Sequence, residues 1–232
     1  MITALLATLL FLQPTPAEVN VVQFLAKGKA SLSLGPKGKA DVERTGTVTR
    51  LVLQMDGLPP PQAAKGGMNS YVVWAISPEG LFDRLGELDQ SGAKGSLTAT
   101  TQFDRFAILV TLEPHYLVDK PSANISFVND RARELTSVPL MVEVGAYDYP
   151  AVQDNTPGVP SLVMQARAAM AIANATEGSQ RLEAEFRNAR VAIDTMEELF
   201  RRGSAPDAVA AAAHAAIRRA QIATVAARQS VR

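Results

Sequence analysis

His115 and His214 are the side chains of this 232-residue sequence best suited to proton transfer near neutral pH. His115 follows Glu113 and Pro114 just past a predicted strand, and a loop histidine beside a carboxylate can act as a general base. We favour an exposed loop histidine without a catalytic role, and a hydrolase that uses His115 is the alternative. His214 stands among alanines of a predicted helix, and we interpret it as a solvated or interhelical residue.

Metal and cofactor motifs are missing from the sequence. It has no cysteine, no histidine pair at zinc spacing and no calcium-loop order of acidic residues. Asp148 and Asp154 could share a calcium ion, but we interpret them as ordinary linker residues. No phosphate loop, dinucleotide glycine pattern or Gly-x-Ser-x-Gly motif is present. The sequence therefore predicts a protein that is not an enzyme and that uses no cofactor and no metal.

Two aromatic residues and two arginines are the candidate contacts for a ligand or partner, together with His115 and Tyr116. Tyr71 and Trp74 fall on opposite faces of one predicted strand, and we favour Trp74 as core filler between two sheets over an exposed platform for a glycan or peptide. Arg218 and Arg219 give the last predicted helix a positive face, which is either a solvated surface or a contact for acidic lipid or polymer. Equal numbers of basic and acidic residues, 23 each, predict no nucleic-acid partner.

The start of the sequence predicts export. Residues 2–12 are almost entirely apolar and are followed by two prolines and small residues, which is typical of a signal peptide over residues 1–17. The run is shorter than the roughly 20 residues that span a bilayer. A buried first strand or helix is the alternative. We expect a periplasmic or outer-envelope location without an integral membrane span.

Residues 18–149 predict an α+β chain whose first unit is an antiparallel, immunoglobulin-like β-sandwich. Apolar residues alternate in short runs that end at Gly, Pro, Asn or Asp. Residues 71–77 and 105–112 are apolar on both faces, which indicates central strands. Residues 85–88 and 96–101 are predicted to pair as a hairpin around residues 91–93, and residues 140–146 form a last alternating strand.

A short stretch of this unit resembles a known family. Tyr71-Val72-Val73-Trp74-Ala75-Ile76-Ser77-Pro78-Glu79-Gly80, followed by Leu85-Gly86-Glu87-Leu88, resembles the extracytoplasmic domain of anti-sigma-K-type factors. It is also similar to uncharacterised exported sandwich proteins of soil bacteria. The resemblance covers about twenty residues and implies a sandwich fold and an extracytoplasmic compartment. A regulatory sensor domain of anti-sigma descent is therefore an alternative function.

Residues 150–160 predict a linker, and residues 161–232 predict an Ala/Arg-rich helical hairpin or three-helix tail. The helices are expected near 161–175, 179–202 and 206–230, with Ser161 and Ser204 as N-caps. A 4-3-4-3-4 spacing marks the packing seam of the middle helix, and alanines dominate its neighbours. Its members are Leu182, Phe186, Ala189, Ile193, Met196 and Phe200.

This segment is similar to an uncharacterised helical-hairpin family of bacterial envelope proteins, which shows the same Ala-x-x-Ala and Ala-Arg spacing. Alanine seams bury little area per turn, so the helices are expected to dock on the sandwich or to self-associate, giving a homo-oligomer. Together these patterns favour a non-enzymatic binding or structural protein of the envelope. The sandwich would recognise a ligand or an envelope protein, and the helices would dock or self-associate.

Overall fold

The structure is a computed structural model that describes residues 17–21, 27–32, 37–64, 66–122, 124–128, 138–142, 152–153 and 155–231. The chain is α+β, with antiparallel strands first and three helices at the C-terminus. The predicted signal peptide lies outside the described residues except for Ala17. Val144 and Ala146 of the predicted last strand also lie outside them.

Eleven strands occur in the described part of the chain. Their bounds are β1 Ala17–Val21, β2 Lys27–Leu32, β3 Lys37–Thr45, β4 Val48–Asp56, β5 Ser70–Ile76, β6 Phe82–Glu87, β7 Asp89–Ser91, β8 Lys94–Thr101, β9 Ala107–Glu113, β10 Ile125–Val128 and β11 Val138–Val142.

Two antiparallel sheets, which we call together the double-sheet unit, hold nine of these strands. One has the order β10-β9-β5-β6 and the other β2-β3-β4-β8-β7, while β1 and β11 pair separately. β5 and β9 are the inner strands of the first sheet, as their two-sided apolar patterns predict. In β4, Leu51, Leu53 and Met55 point inward and alternate with exposed or half-buried residues.

The predicted hairpin of residues 85–88 with 96–101 is wrong in part. Residues 85–87 belong to β6 and pair with β5, whereas β7 forms the hairpin with β8. The chain crosses from one sheet to the other at Leu88, whose backbone N–H still donates to Tyr71 O at 2.9 Å. Leu88 is buried between the sheets. Leu88 therefore lies in the inter-sheet core at the point where the chain passes from β6 of one sheet to β7 of the other.

The core between the two sheets is built from alternate residues of each strand. Tyr71, Val73 and Ala75 of β5 face it, together with residues of β3, β4 and β9. Trp74 lies on the other face of β5, in a second cluster with Val72 and Ile76, so its predicted place between the sheets is wrong. Side chains of a strand alternate between its two faces. Tyr71 lies on the face that points to the other sheet, and Trp74, three residues further on, lies on the opposite face.

The three helices match the predicted segments closely. α1 spans Ser161–Ala175, α2 spans Glu183–Arg201 and α3 spans Pro206–Ser230. Residues 179–181 form a separate 3₁₀ turn, because Leu182 leaves the helical conformation (φ −122°, ψ 60°). The predicted serine caps are wrong: neither α1 nor α3 has a side-chain cap, and their N-caps are Pro160 and Ala205.

The seam of α2 and the alanine faces of α1 and α3 meet in one core. The buried set includes Phe186, Ala189 and Met196 of α2, with Ala166 of α1 and Ile217 of α3. The other predicted seam residues of α2 pack at its edge. This burial confirms the predicted seam, and small residues let α3 approach both α1 and α2 closely. Tyr116 and Leu117 of the double-sheet unit also pack on this core, so the helices contact that unit directly.

Candidate functional site

A cleft of about 680 Å³ lies where the helices meet the double-sheet unit. We call it the inter-unit cleft. Its sheet side is formed by the start of β5, the β6–β7 crossover and the proline turn after β4, and its helix side by the first turns of α1 and by His214 of α3. The lining residues are Pro60, Pro61, Gln62, Asn69, Ser70, Tyr71, Glu87, Leu88, Asp89, Gln90, Gly92, Ser161, Leu162, Gln165 and His214.

Gln165 of α1 joins the two sides of the cleft. The side chain is 1% exposed, its Oε1 accepts a hydrogen bond from Tyr116 N at 3.0 Å, and its Nε2 donates to Glu87 Oε1 at 2.7 Å. Nε2 also lies 3.5 Å from Ser161 Oγ, which donates to Asn69 O at 2.9 Å. A continuous path of hydrogen bonds therefore runs from the start of β5 through α1 to the end of β6.

Glu87 is the carboxylate most affected by this setting. Burial raises the pKa of Glu87, and the nearby charge of Asp89 raises it further, while the Gln165 hydrogen bond lowers it. Asp89 is exposed and stands across the Leu88 crossover. The cleft thus holds one half-buried and one exposed carboxylate within three residues of each other.

Tyr116 and His214 make a second contact between the units. Tyr116 Oη and His214 Nδ1 lie 2.9 Å apart, and the two rings meet edge to face with centroids 5.5 Å apart. Burial lowers the pKa of His214, and the positive charge of Arg218 lowers it further. The predicted solvated or interhelical position is wrong, because His214 faces the double-sheet unit. Arg218 and Arg219 themselves are exposed on α3.

An ion pair completes the junction near the C-terminal end of α3. Arg228 donates to Asp119 Oδ2 at 2.6 Å, and each side chain is 34% exposed. Asp119 belongs to the segment between β9 and β10, which also supplies Tyr116. Three polar contacts thus hold one segment of the double-sheet unit against α1 and α3.

His115 is buried, so the expectation of an exposed loop histidine is wrong. It is 1% exposed, and its Nδ1 accepts a hydrogen bond from Leu117 N at 3.2 Å. Burial, with the positive charge of Arg84, lowers its pKa to about 3. Ser122 N donates to Glu113 Oε1 at 2.8 Å, which closes the segment over the imidazole. His115 is therefore a neutral structural residue.

The predicted aromatic contacts occupy different places. Tyr71 lines the inter-unit cleft, although it is only 4% exposed and donates its hydroxyl to Pro59 O at 3.0 Å. Trp74 is fully buried, donates from Nε1 to Thr111 Oγ1 at 2.8 Å and meets Phe82 edge to face. Neither ring offers a face to solvent. The structure brings Tyr71 and Tyr116 to the junction between the units and leaves Trp74 apart.

The residues that sequence reasoning missed are the polar ones that connect the units. Gln165 stands in an otherwise apolar run, residues 162–173, interrupted only by Arg167 and itself, and that isolation is the signal that could have marked it. Asn69 and Ser70 precede a strand that is buried throughout, and they are 2% and 1% exposed. Buried polar residues normally find partners, but the helices supply one only to the backbone oxygen of Asn69, through Ser161 Oγ, and Asn69 Oδ1 and Ser70 Oγ have no partner among the described residues.

Comparison with family models, curated proteins and solved structures gives no match to this chain. The structure defines an α+β protein with two antiparallel sheets and three helices, in which α1 and α3 border a cleft against the sheets. No helix in the described part of the chain combines the length and apolarity needed to cross a membrane. Among the described residues, no three His, Asp or Glu side chains gather closely enough to hold a metal ion.

Proposed function

We propose that this chain is an exported, envelope-associated binding protein that is not an enzyme, with the inter-unit cleft as its ligand site. The double-sheet unit, which we propose to be an immunoglobulin-like sandwich, is the recognition unit, and the helices form the second wall of the site. The observation that supports this most is the Gln165 bridge, because a buried amide of α1 bonded to two segments of the double-sheet unit holds the two walls of the cleft together. Preformed clefts of this size that combine apolar surface with a few convergent polar groups are typical ligand sites.

The state of the histidines supports a binding role over catalysis. A general base must reach its substrate and titrate near the working pH. His115 is 1% exposed with a pKa of about 3, and the Nδ1 of His214 is occupied by Tyr116. His115 is therefore not placed to take a proton from a ligand, and one ring nitrogen of His214 is engaged by the Tyr116 hydroxyl.

The compartment is proposed from the sequence. The apolar run over residues 2–12 and the resemblance of residues 71–88 to anti-sigma-K-type extracytoplasmic domains support a periplasmic or outer-envelope location. Envelope ligands such as peptides, glycan fragments and amines are then the relevant set. The helical seams are buried within the chain and against the double-sheet unit, which supports intrachain docking as the main use of these helices.

The test is a ligand screen on the purified full chain by thermal shift, followed by calorimetry of each hit. We expect at least one envelope-derived peptide, glycan fragment or amine to raise Tm. Gln62→Trp fills the cleft from its rim and should abolish the shift, because Gln62 lines the cleft. Gln102→Trp makes the same change at an exposed site outside the cleft lining and should leave it intact. The absence of any ligand, or binding unaffected by Gln62→Trp, would contradict the proposal.

A further inference from the structure

The charged groups that line the inter-unit cleft are acceptors, and Asn69 Oδ1 and Ser70 Oγ are polar atoms of its lining without a hydrogen-bond partner among the described residues. Glu87 and Asp89 are the carboxylates of its lining, which contains no Lys or Arg, and burial together with Arg218 keeps His214 neutral at pH 7. The lining thus carries two carboxyl groups and no Lys or Arg, which favours a negative potential, while the positive charge of Arg218 acts on it from outside the lining. Such a potential attracts positively charged ligands.

Asn69 adds an independent observation. Its side chain is 2% exposed and lines the cleft, and its Nδ2 donates to Gly67 O at 2.7 Å and to Pro114 O at 3.3 Å. The amide oxygen lies on the other side of the group, and Oδ1 has no hydrogen-bond partner among the described residues. A buried acceptor without a donor costs about 1–3 kcal/mol, so a ligand that supplies the donor gains from meeting it.

These acceptors lie in one connected patch. Ser161 Oγ binds Asn69 O, Gln165 Nε2 contacts Ser161 Oγ, and the same Nε2 donates to Glu87 Oε1. Three hydrogen bonds therefore separate Asn69 from Glu87. Both residues line the same cleft.

Two features oppose a cationic ligand: the positive charge of Arg218, which acts on His214, and the first turn of α1. This turn lines the cleft, has no acidic residue and no side-chain cap, and presents the positive end of the helix. That end is equivalent to roughly half a positive charge. The two carboxylates carry more negative charge than this partial positive charge. Glu87 also accepts a hydrogen bond from Gln165 of the same helix, which compensates part of the helix charge.

We infer that the inter-unit cleft binds an organic ammonium group through Glu87, Asp89 and Asn69. An ammonium group has three donors and no acceptor, which matches this acceptor set. Pro60, Pro61 and Leu162 give the attached carbon chain an apolar surface. The inference rests on the proposed function and names the ligand class of the same site. A free amine and a lysine side chain of a peptide share this chemistry.

The test is calorimetry of the full chain at about pH 8, chosen to favour the ionised carboxylates because the pKa of Glu87 is raised. The probes are 1,5-diaminopentane for the free amine, acetyl-Gly-Lys-Gly-amide for the peptide, the same peptide with an acetylated lysine, glutarate as a length-matched anion, and calcium chloride. We expect one or both ammonium probes to bind, and the acetylated peptide and glutarate not to bind. Whichever of the first two binds more tightly identifies the source.

Glu87→Gln keeps an acceptor for Gln165 and removes only the charge. We expect it to weaken ammonium binding by roughly tenfold or more, whereas Glu43→Gln, the same change at an exposed position of β3, should have no effect. Tighter binding of glutarate, competition by calcium, or full affinity in Glu87→Gln would overturn the inference. If a neutral or anionic ligand binds and Gln62→Trp abolishes that binding, the proposed function is supported and only the assignment of an ammonium ligand is wrong.

Discussion

Gln165 Nε2 donates to Glu87 Oε1 at 2.7 Å, and this hydrogen bond crosses from the first helix to the end of strand β6. The same amide accepts from the backbone of Tyr116, so one side chain satisfies polar groups from two separate segments of the double-sheet unit. Buried amides in such positions specify one docking geometry, since any other arrangement leaves a polar group without a partner. The relative placement of helices and sheets therefore depends on this residue.

Replacing Gln165 by leucine should destabilise the protein by about 2–4 kcal/mol. The substitution keeps most of the volume and leaves Tyr116 N and Glu87 Oε1 without their partner, and a buried unsatisfied group costs about 1–3 kcal/mol. Urea unfolding measures the loss. Gln229→Leu, at an exposed site of α3, is the control and should change stability by less than about 0.5 kcal/mol. Equal effects of the two substitutions would contradict a bridging role.

Stability should fall in acid because His115 stays neutral in the folded protein. Its pKa is about 3 when folded and about 6.5 when unfolded, so between these values only the unfolded chain takes the proton. The folded state is therefore disfavoured as pH falls through 6.5, by roughly 3 kcal/mol at pH 4. The raised pKa of Glu87 acts in the opposite direction, since a protonated carboxyl favours the folded state as pH falls.

The measurement is the urea midpoint from about pH 7.5 to 4.5 for wild type, His115→Asn and His214→Asn. Only the slope against pH is compared, because the change of packing in His115→Asn shifts the whole curve without changing its slope. We expect a clearly shallower slope for His115→Asn and a smaller change for His214→Asn, whose side chain is half-buried. A slope for His115→Asn parallel to wild type would show that another group causes the acid sensitivity.

Substitutions of two glycines at helix junctions distinguish the cost of a strained backbone from the cost of steric crowding. Gly178 and Gly203 both have positive φ, 87° and 66°. A Cβ on Gly178 would lie 2.6 Å from Ser230 Oγ and 2.7 Å from Ala227 O, whereas a Cβ on Gly203 would meet no atom within 4 Å. Gly203→Ala should therefore cost about 1 kcal/mol for the left-handed backbone alone, and Gly178→Ala about 2–4 kcal/mol. If thermal unfolding shows similar losses of stability for the two variants, the end of α3 can shift to accommodate the Cβ at residue 178 without a loss of stability.

The ion pair between α1 and α2 should contribute more than an exposed pair on α2. Arg167 donates to both carboxylate oxygens of Glu197, at 2.6 and 2.8 Å, and its guanidinium lies 5.8 Å from the Phe200 ring centroid. Arg167→Gln should cost about 1–2 kcal/mol, because a bidentate and partly buried pair is stronger than an exposed one. Arg187→Gln removes the exposed pair with Glu183 and should cost less than about 0.5 kcal/mol.

For the ion pair, a double-mutant cycle with Glu197→Gln isolates the interaction from the loss of the arginine stem. Denaturant unfolding of the two single variants and the double variant gives the coupling free energy. A coupling indistinguishable from zero would assign the effect of Arg167→Gln to its packing on Phe200 instead.

Local periodicity predicted the helices and the inner strands, because each depends on neighbours in the chain. The 4-3-4-3-4 spacing of α2 and the breaker run from Gly203 to Pro206 depend on side chains within a few turns. β5 and β9 could be predicted for the same reason, since apolar residues on both faces require cover on both faces. These are the features for which local and tertiary requirements agree.

The site could not be predicted, because it depends on which surfaces meet. Gln165 acquires its role only when α1 lies beside Tyr116 and Glu87, 49 and 78 positions away along the chain. His115 is buried in a segment whose ends are joined by the hydrogen bond from Ser122 N to Glu113 Oε1, a contact that spacing does not reveal. Ser161 looked like a cap, but its hydroxyl donates across the junction to Asn69 O instead of to its own helix.

Because the chain changes sheets at Leu88, the positions of the two carboxylates in the inter-unit cleft depend on how the two sheets are aligned. Glu87 hydrogen-bonds within one sheet and Asp89 within the other, with one residue between them. Any sliding of one sheet over the other would change the separation of the two carboxylates. Ligand affinity would then depend on the packing between the two sheets. A substitution in the inter-sheet core far from the cleft would weaken ligand binding without changing any residue that lines the cleft.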